Sequence, residues 1–559
     1  MGRDIVATPS ALDVSGLSMC RVSGWLLVCL LAASPWARAS QDITVHTTSA
    51  SAAAVAVSVG IPLPPGVLRD PHLVRILDAR GEEIPADVKP MLRWVTRDGS
   101  LRAVRAQFRA QLAKGETRFS FALGSPRQKQ MAAFPFEQGL VDDGHGLKVP
   151  AVVATLDAAW LCDSLIAGPQ LPAARGEAYA GYVDAQFQWA RKLPVDDASA
   201  WLFDRPSTLF KAYVRTGRAD YLASAEESYR FYMSHLRRDG LPVSPWCAGG
   251  FTFGDKPCDV KYVYVEPIVL AVGLAGDDTQ HDETLVGHMM TLWDDGGWNN
   301  RPGPYDRPDT YFTERLAGLG LIQTVSGYEL TGDQAYLERV KARIGWLKGH
   351  QQHNPDGLGD DGSWRNSWDL HENDSWHPEN DVRGASTWMT ENIIDGLWHA
   401  WFATGDARIP PMVVAWGRYM ERYGWIDHAL LVNPHDWRNP CSGADGQIAW
   451  YWSSAHSTLP KLQKIQDSEG WYSDAHTVEL ALPVAAARYF DADPAQAQVY
   501  DKRLRAMASS YSSSCAAISD TVRRFNWNNR GAGVAQWMMK QAPGAGVKPD
   551  ATKIAKASP

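Results

Sequence analysis

The sequence carries no stripe of Lys and Arg, and its formal net charge is −8, which argues against nucleic acid as a partner. Beyond the first forty residues no apolar run is long enough to span a bilayer, so no stable membrane insertion is expected. A phosphate-cradling glycine motif, a nucleophilic-serine elbow and an HExxH helix are all missing, which disfavours nucleotide-dependent and protease chemistry. Cysteine is scarce, with seven residues in 559, and its spacings match no zinc pattern. No cofactor is expected. The nearest approach to a metal site is NPDGLGDDGSW, where Asp356, Asp360 and Asp361 sit among glycines. Structural calcium is the alternative there to an ordinary turn, which is preferred because the spacing misses the alternating ligand pattern.

What is present begins with a leader. The apolar run WLLVCLLAA over 25–33 follows Arg21 and precedes Ala37-Arg38-Ala39. A short apolar core before a small-x-small site predicts a secretory signal peptide over 1–39, cleaved after Ala39, and hence a periplasmic or secreted protein. Cys20 and Cys29 leave with it. Cys247 and Cys258 flank a glycine-rich loop and are expected to pair in an oxidising compartment. Cys441 with Cys515 is a weaker pairing that leaves Cys162 as a free, buried thiol.

The texture of the chain changes once. Residues 40–135 hold short alternating segments punctuated by Arg80-Gly81 and Asp98-Gly99, the pattern of a β-domain. From 150 to 540 long helical periodicities are joined by loops rich in Gly, Pro, Trp and Asp. Residues 541–559 read as a disordered tail of Ala, Lys and Pro.

A single pattern recurs within the helical region. YVYVEPIVLAVGLAGD, TYFTERLAGLGLIQTVSGYELTGD, TWMTENIIDGLWHAWFATGD and DAHTVELALPVAAARYFDAD each set a carboxylate, Glu266, Glu314, Glu391 or Glu479, before an apolar run. Each ends in a small turn with Asp, and a looser fifth copy carries Asp204. Such units bury their faces only by stacking on one another. The expected fold class is therefore α+β multidomain: a small N-terminal β-barrel or sandwich followed by a large (α/α) toroid. In a toroid the inner helix starts share one mouth, so these glutamates would ring a cavity. A lone Glu in a first helical turn needs no more than the helix dipole to explain it; a ring of them suggests a site.

Trp is abundant, with 24 residues, and it concentrates in the loops before those helices. The segment 363–388 sets Trp364, Trp368, Trp376 and Trp388 among Arg365, His371, His377 and Arg383. Flat aromatic faces beside hydrogen-bonding groups suit sugar rings, so a polysaccharide or oligosaccharide is the expected partner. The oligomeric state is left open by the sequence.

The segment 60–124, through Gly60-Ile61-Pro62-Leu63-Pro64, Gly66, Asp78, Gly81, Pro85, Arg93-Trp94 and Asp98-Gly99-Ser100, resembles the N-terminal β-barrel of exo-rhamnogalacturonan lyase-like proteins. The helical region is similar, more loosely, to (α/α) toroid polysaccharide lyases and glycosidases. That resemblance implies cleavage of an acidic, uronate-containing polysaccharide by β-elimination. His371 or Tyr311 would then move the proton, with Tyr262, His377 and His476 as further candidates. Arg315, Arg365 and Arg383 would hold the uronate, and Trp368, Trp376 and Trp388 would stack on sugar. The alternative is a glycoside hydrolase using paired carboxylates from Glu266, Glu314, Glu391 and Asp369 or Glu372. A non-catalytic glycan-binding protein is the third reading.

Overall fold

The structure, a computed structural model, describes residues 40–192, 201, 203–236, 260–295, 313–354, 356–368, 382–430, 444–468, 479–509 and 524–547. The expected leader and both expected cysteine pairs lie outside them. Cys162 is a free thiol and buried.

The N-terminal region is built from two antiparallel sheets. One has the strand order β3 (Val74–Leu77), β6 (Gly115–Leu123), β1 (Gln41–Thr47), β9 (Val153–Leu156). The other has β2 (Val55–Pro62), β5 (Leu101–Ala110), β4 (Ala86–Arg93). A short ribbon of β7 (Leu140–Asp142) and β8 (Lys148–Pro150) precedes β9. Alternation sets the faces of β1, where Ile43 and Val45 point inward between more exposed neighbours. The last strand pairs Leu156 with Ile43, so this region takes a strand from beyond the boundary expected near residue 135.

β5 breaks alternation: Leu101 to Phe108 are all buried. One face meets the first sheet and the other meets the helical region. Arg102 reaches Glu329 at 3.1 Å, and Arg105 reaches Asp278 at 2.8 Å. A Cβ at Gly60 would stand 2.6 Å from the Leu274 carbonyl carbon, so β2 lies against the end of a helix with no room for a side chain.

Six apolar helices follow in the order α3 (Arg205–Thr216), α5 (Glu266–Leu274), α7 (Glu314–Thr331), α9 (Thr390–Thr404), α12 (Ala481–Phe490) and α15 (Ala532–Lys540). Each packs on the next, and α15 packs back on α3. Between them run α4 (Ala219–Ser234), α6 (Glu283–Asp295), α8 (Gln334–Gln352), α10 (Ile409–Tyr423) and α13 (Pro494–Ala508), with Thr-Gly turns between several pairs. At the edges, α1 (Ala158–Asp163) packs on α3, α2 (Ala178–Ala190) on α14 (Arg524–Asn529), and α11 (Leu459–Ser468) on the strand Trp452–Ser453. Gly217, Gly332 and Gly405 take φ of 63°, 73° and 65°, the left-handed closure that glycine adopts without strain. Asp333 and Asp493 then cap the following helices by accepting from Ala335 and Ala495. Within residues 541–547, expected to open the disordered tail, a short helical turn forms over Ala545–Val547 and Gly546 lies buried against Phe490 and Tyr489, while most of its neighbours are exposed.

α7 and α9 make a very close helix approach. A Cβ on Gly318 would overlap the backbone of Asn392, and one on Gly396 would stand 2.7 Å from the Gly318 carbonyl oxygen. Gly318→Ala must push the two helices apart and is expected to cost about 1–3 kcal/mol, the usual penalty of overpacking. A denaturant midpoint equal to that of the unmodified protein would contradict this packing.

Candidate active site

The acidic helix starts are buried together with their counterions. Glu266 and Glu314 open α5 and α7, Glu391 is the second residue of α9, and Glu479 stands two residues before α12. Asp204 immediately precedes α3, and all five carboxylates are buried. The sixth helix differs. Arg530, also buried, precedes α15 where the others have an acid.

The side chains are linked. Lys211 Nζ lies 2.7 Å from Glu266 Oε1, and His399 Nε2 lies 3.1 Å from the same oxygen. His399 Nδ1 faces Asp395 Oδ1 at 3.2 Å. Arg530 closes the set, 3.1 Å from Asp395 Oδ2, 3.3 Å from Glu391 Oε2 and 3.1 Å from Asn392 Oδ1. Glu266 Oε2 is buried and has no hydrogen-bond partner among the described residues. So many ionisable groups out of water are costly unless paired, and a buried cluster of this kind is a candidate functional site.

Their environments drive the carboxylates apart. Burial pushes Glu391 up to about 8, with Arg530 opposing and the Asp395 charge adding. Burial raises Glu266 too, but Lys211 and His399 outweigh it and hold the group at about 2. Asp395 is held well below the usual range, because Arg530 and His399 overcome its burial. Burial and Glu266 push Asp204 up to about 7. His399 rises to about 10 against its burial, since Asp395 and Glu266 favour the imidazolium. Asp204 also follows Phe203, and the two take φ of 61° and 70°, strained for non-glycine residues.

A pH dependence of stability follows. Glu391 and Asp204 have folded values above their unfolded ones of 4.5 and 3.8. Their contribution is complete below the unfolded values and is lost as pH rises through about 7 to 8. His399 acts with the same sign higher up, while the depressed Glu266 and Asp395 keep their contribution above their unfolded values of 4.5 and 3.8 and lose it as pH falls below them. The melting temperature is expected to be higher near about pH 5 than near about pH 9. An equal or higher value at the alkaline end would contradict the buried protonated carboxyls.

Glu314 stands apart. Its oxygens accept from Ser386 N at 2.8 Å and Asn366 Nδ2 at 3.0 Å, so it anchors the strand segments 366–367 and 383–386. Arg365, expected to hold a uronate, is engaged instead by Asp356 at 2.8 Å and Asp361 at 3.0 Å. The same pairing engages two of the three carboxylates of the loop in which an ordinary turn is preferred to calcium. Trp368 packs edge-on against Tyr451 and Trp452, with ring centroids 5.8 and 5.5 Å away. Trp388 is buried beside Phe203 and Tyr451. Both rings therefore belong to an apolar cluster with Trp450 and Ile448. Arg315, Arg383 and Tyr262 are half-buried. His371, Tyr311 and Trp376 lie outside the described residues, as do His377, His476, Asp369 and Glu372.

Lys211, Asp395, His399 and Arg530 were not among the candidates from sequence, although one signal was available. Glu391, Asp395 and His399 follow each other at four-residue steps, a polar stripe on a helix that is otherwise apolar.

No family model matches the chain, and no curated protein sequence does. Among solved structures, the chain is similar to a family 76 glycoside hydrolase from a bovine Bacteroides thetaiotaomicron strain. The TM-score is 0.37 and the identity 10%, over 89% of this chain and 97% of that one. A likeness of that size fixes neither the fold nor the chemistry. The resemblance of residues 60–124 to exo-rhamnogalacturonan lyase-like proteins is supported by none of these comparisons.

Proposed function

We propose that the protein is an exported carbohydrate-active enzyme that hydrolyses glycosidic bonds, its six-helix ring being an (α/α) toroid with the active site at the acidic helix starts. The observation that carries this reading is the opposed state of two carboxyls in one linked cluster: Glu391 keeps its proton to about 8 and Glu266 loses it at about 2. That division is what an acid and a base for glycoside cleavage require. Glu391 donates its proton to the departing glycosidic oxygen. Glu266, through its unpartnered Oε2, takes the proton of the water that attacks the sugar carbon. His399 and Lys211 hold Glu266 ionised, and Arg530 orients Glu391.

Elimination from a uronate is the second reading, favoured by the concentration of cations in the same cluster. The two are separated by their products from a panel of neutral and acidic glycans. New reducing ends without ultraviolet absorbance support hydrolysis; the absorbance of an unsaturated uronate supports elimination. Neither signal on any glycan would contradict both.

A further inference from the structure

The first turn of α5 carries the ionised Glu266, yet it has no side-chain cap of its own. A helix start leaves its first N–H groups without intrahelical acceptors. α3 and α7 answer that need locally: Asp204 accepts from Ser207 N at 3.0 Å, and Thr313 accepts from Leu316 N at 3.1 Å. The residue before Glu266 is Val265, whose side chain offers no acceptor. Pro267, next in the helix, brings no N–H at all.

The acceptor comes from the neighbouring helix. Gln323 lies midway along α7 and is 1% exposed. Its Oε1 accepts from Val265 N at 2.5 Å and from Glu266 N at 3.0 Å. Turning the amide would set its NH2 group against two N–H donors, so the oxygen must face α5. Nε2 is then left buried without a hydrogen-bond partner among the described residues. An idle buried donor is a cost that an apolar side chain would avoid, so the amide's contribution is its oxygen.

The far end of α5 is pinned as well. β2 leaves no room for a Cβ at Gly60 against Leu274, so the nine-residue helix is held at both ends. From that fixed backbone the Glu266 side chain meets Lys211 Nζ at 2.7 Å and His399 Nε2 at 3.1 Å, both through Oε1. A displacement of about 1 Å would take both contacts out of hydrogen-bond range.

We propose that Gln323 is a positioning residue: by capping α5 from α7, it fixes where Glu266 stands against Lys211 and His399. Its part in turnover rests on the hydrolytic reading, whereas the geometry can be read without turnover. Removing the acceptor strands two buried N–H groups. The first turn of α5 then relaxes, and Glu266 withdraws from His399.

The experiment compares Gln323→Met, which keeps the length and removes the acceptor, with the milder Gln323→Asn, which draws the oxygen back by one methylene. Asp333→Ala removes the cap of α8, outside the cluster, and controls for lost stability alone. The first readout is the His399 imidazole resonance in histidine-labelled protein, identified by its loss in His399→Gln. Against its burial, Asp395 and Glu266 hold this imidazolium charged to about 10, with Lys211 and Arg530 as the cations bound to the same two carboxylates. Both Gln323 variants should lower that midpoint by at least about one pH unit, the influence of a carboxylate at contact distance. Asp333→Ala should leave it unchanged. The second readout is turnover of a cleaved glycan, where kcat should fall roughly 10²-fold with KM little changed, as for a misplaced catalytic group. An unchanged His399 midpoint in a folded Gln323 variant overturns the proposal, and so does an equal fall in Asp333→Ala. A lowered midpoint with native kcat overturns the role in turnover. A lowered midpoint in a protein that cleaves no glycan supports the cap and counts against the hydrolytic reading alone.

Discussion

Glu391→Gln is expected to lower turnover of a glycan substrate by roughly 10²–10⁴-fold, the usual contribution of a general acid, with little change in melting temperature. The two halves of that expectation come from one fact. Glu391 is held protonated up to about 8, so at neutral pH the native side chain is already uncharged. An amide of the same shape removes no charge from the cluster, and its oxygen can still accept from Arg530. What it cannot do is give up a proton to a departing oxygen. The alkaline limb of the native pH–rate profile should fall near about 8 and should vanish in the residual activity of the variant. Near-native turnover would remove Glu391 from the chemistry. In the elimination reading the larger loss would fall on His371→Ala instead, which makes that variant the natural companion.

Arg530→Met is expected to cost about 3–5 kcal/mol of stability, the penalty for leaving a buried charge without its partner. Arg530 is the cation 3.1 Å from Asp395 Oδ2, and both side chains are almost wholly buried. With the guanidinium gone, Asp395 keeps His399 and the weaker influence of Lys211, and the burial that Arg530 helped to outweigh pushes its carboxyl upward. The loss should therefore grow as pH rises and more of the remaining carboxyls must ionise. Adding Asp395→Leu to Arg530→Met should recover some of the loss, because it removes the stranded charge itself. Urea midpoints of the two variants read the difference. An unchanged midpoint in Arg530→Met would mean that the cluster is not held by this ion pair.

The helical periodicities, the Thr-Gly-Asp turns and the acidic helix starts were legible because each rests on local chemistry. Gly405 closes α9 by its left-handed backbone, and Glu266 stands at a helix start whatever surrounds it. The use of each residue was less legible, because it depends on neighbours distant in sequence. Arg365 reads as a free cation in a Trp-rich loop, but Asp356 and Asp361 take it up within the same loop. Glu314 reads like Glu391, yet Ser386 and Asn366 consume its oxygens. Trp368 and Trp388 read as stacking faces for sugar and are instead packed on other rings. Arg530 stands more than a hundred residues from Glu391 and Asp395, and nothing in its own segment NWNNRGAG announces the pairing. The stripe of Glu391, Asp395 and His399 was readable, and it leads directly to the buried carboxylate cluster.

The most direct measurement is a crystal structure of the Glu391→Gln variant with an oligosaccharide that the native protein cleaves. The account predicts a glycosidic oxygen within hydrogen-bond distance of the residue-391 amide, with the neighbouring sugar carbon facing Glu266. A glycan bound away from Asp204, Glu266, Glu391 and Glu479, with that cluster closed to it, would contradict the assignment of the buried carboxylates as the active site.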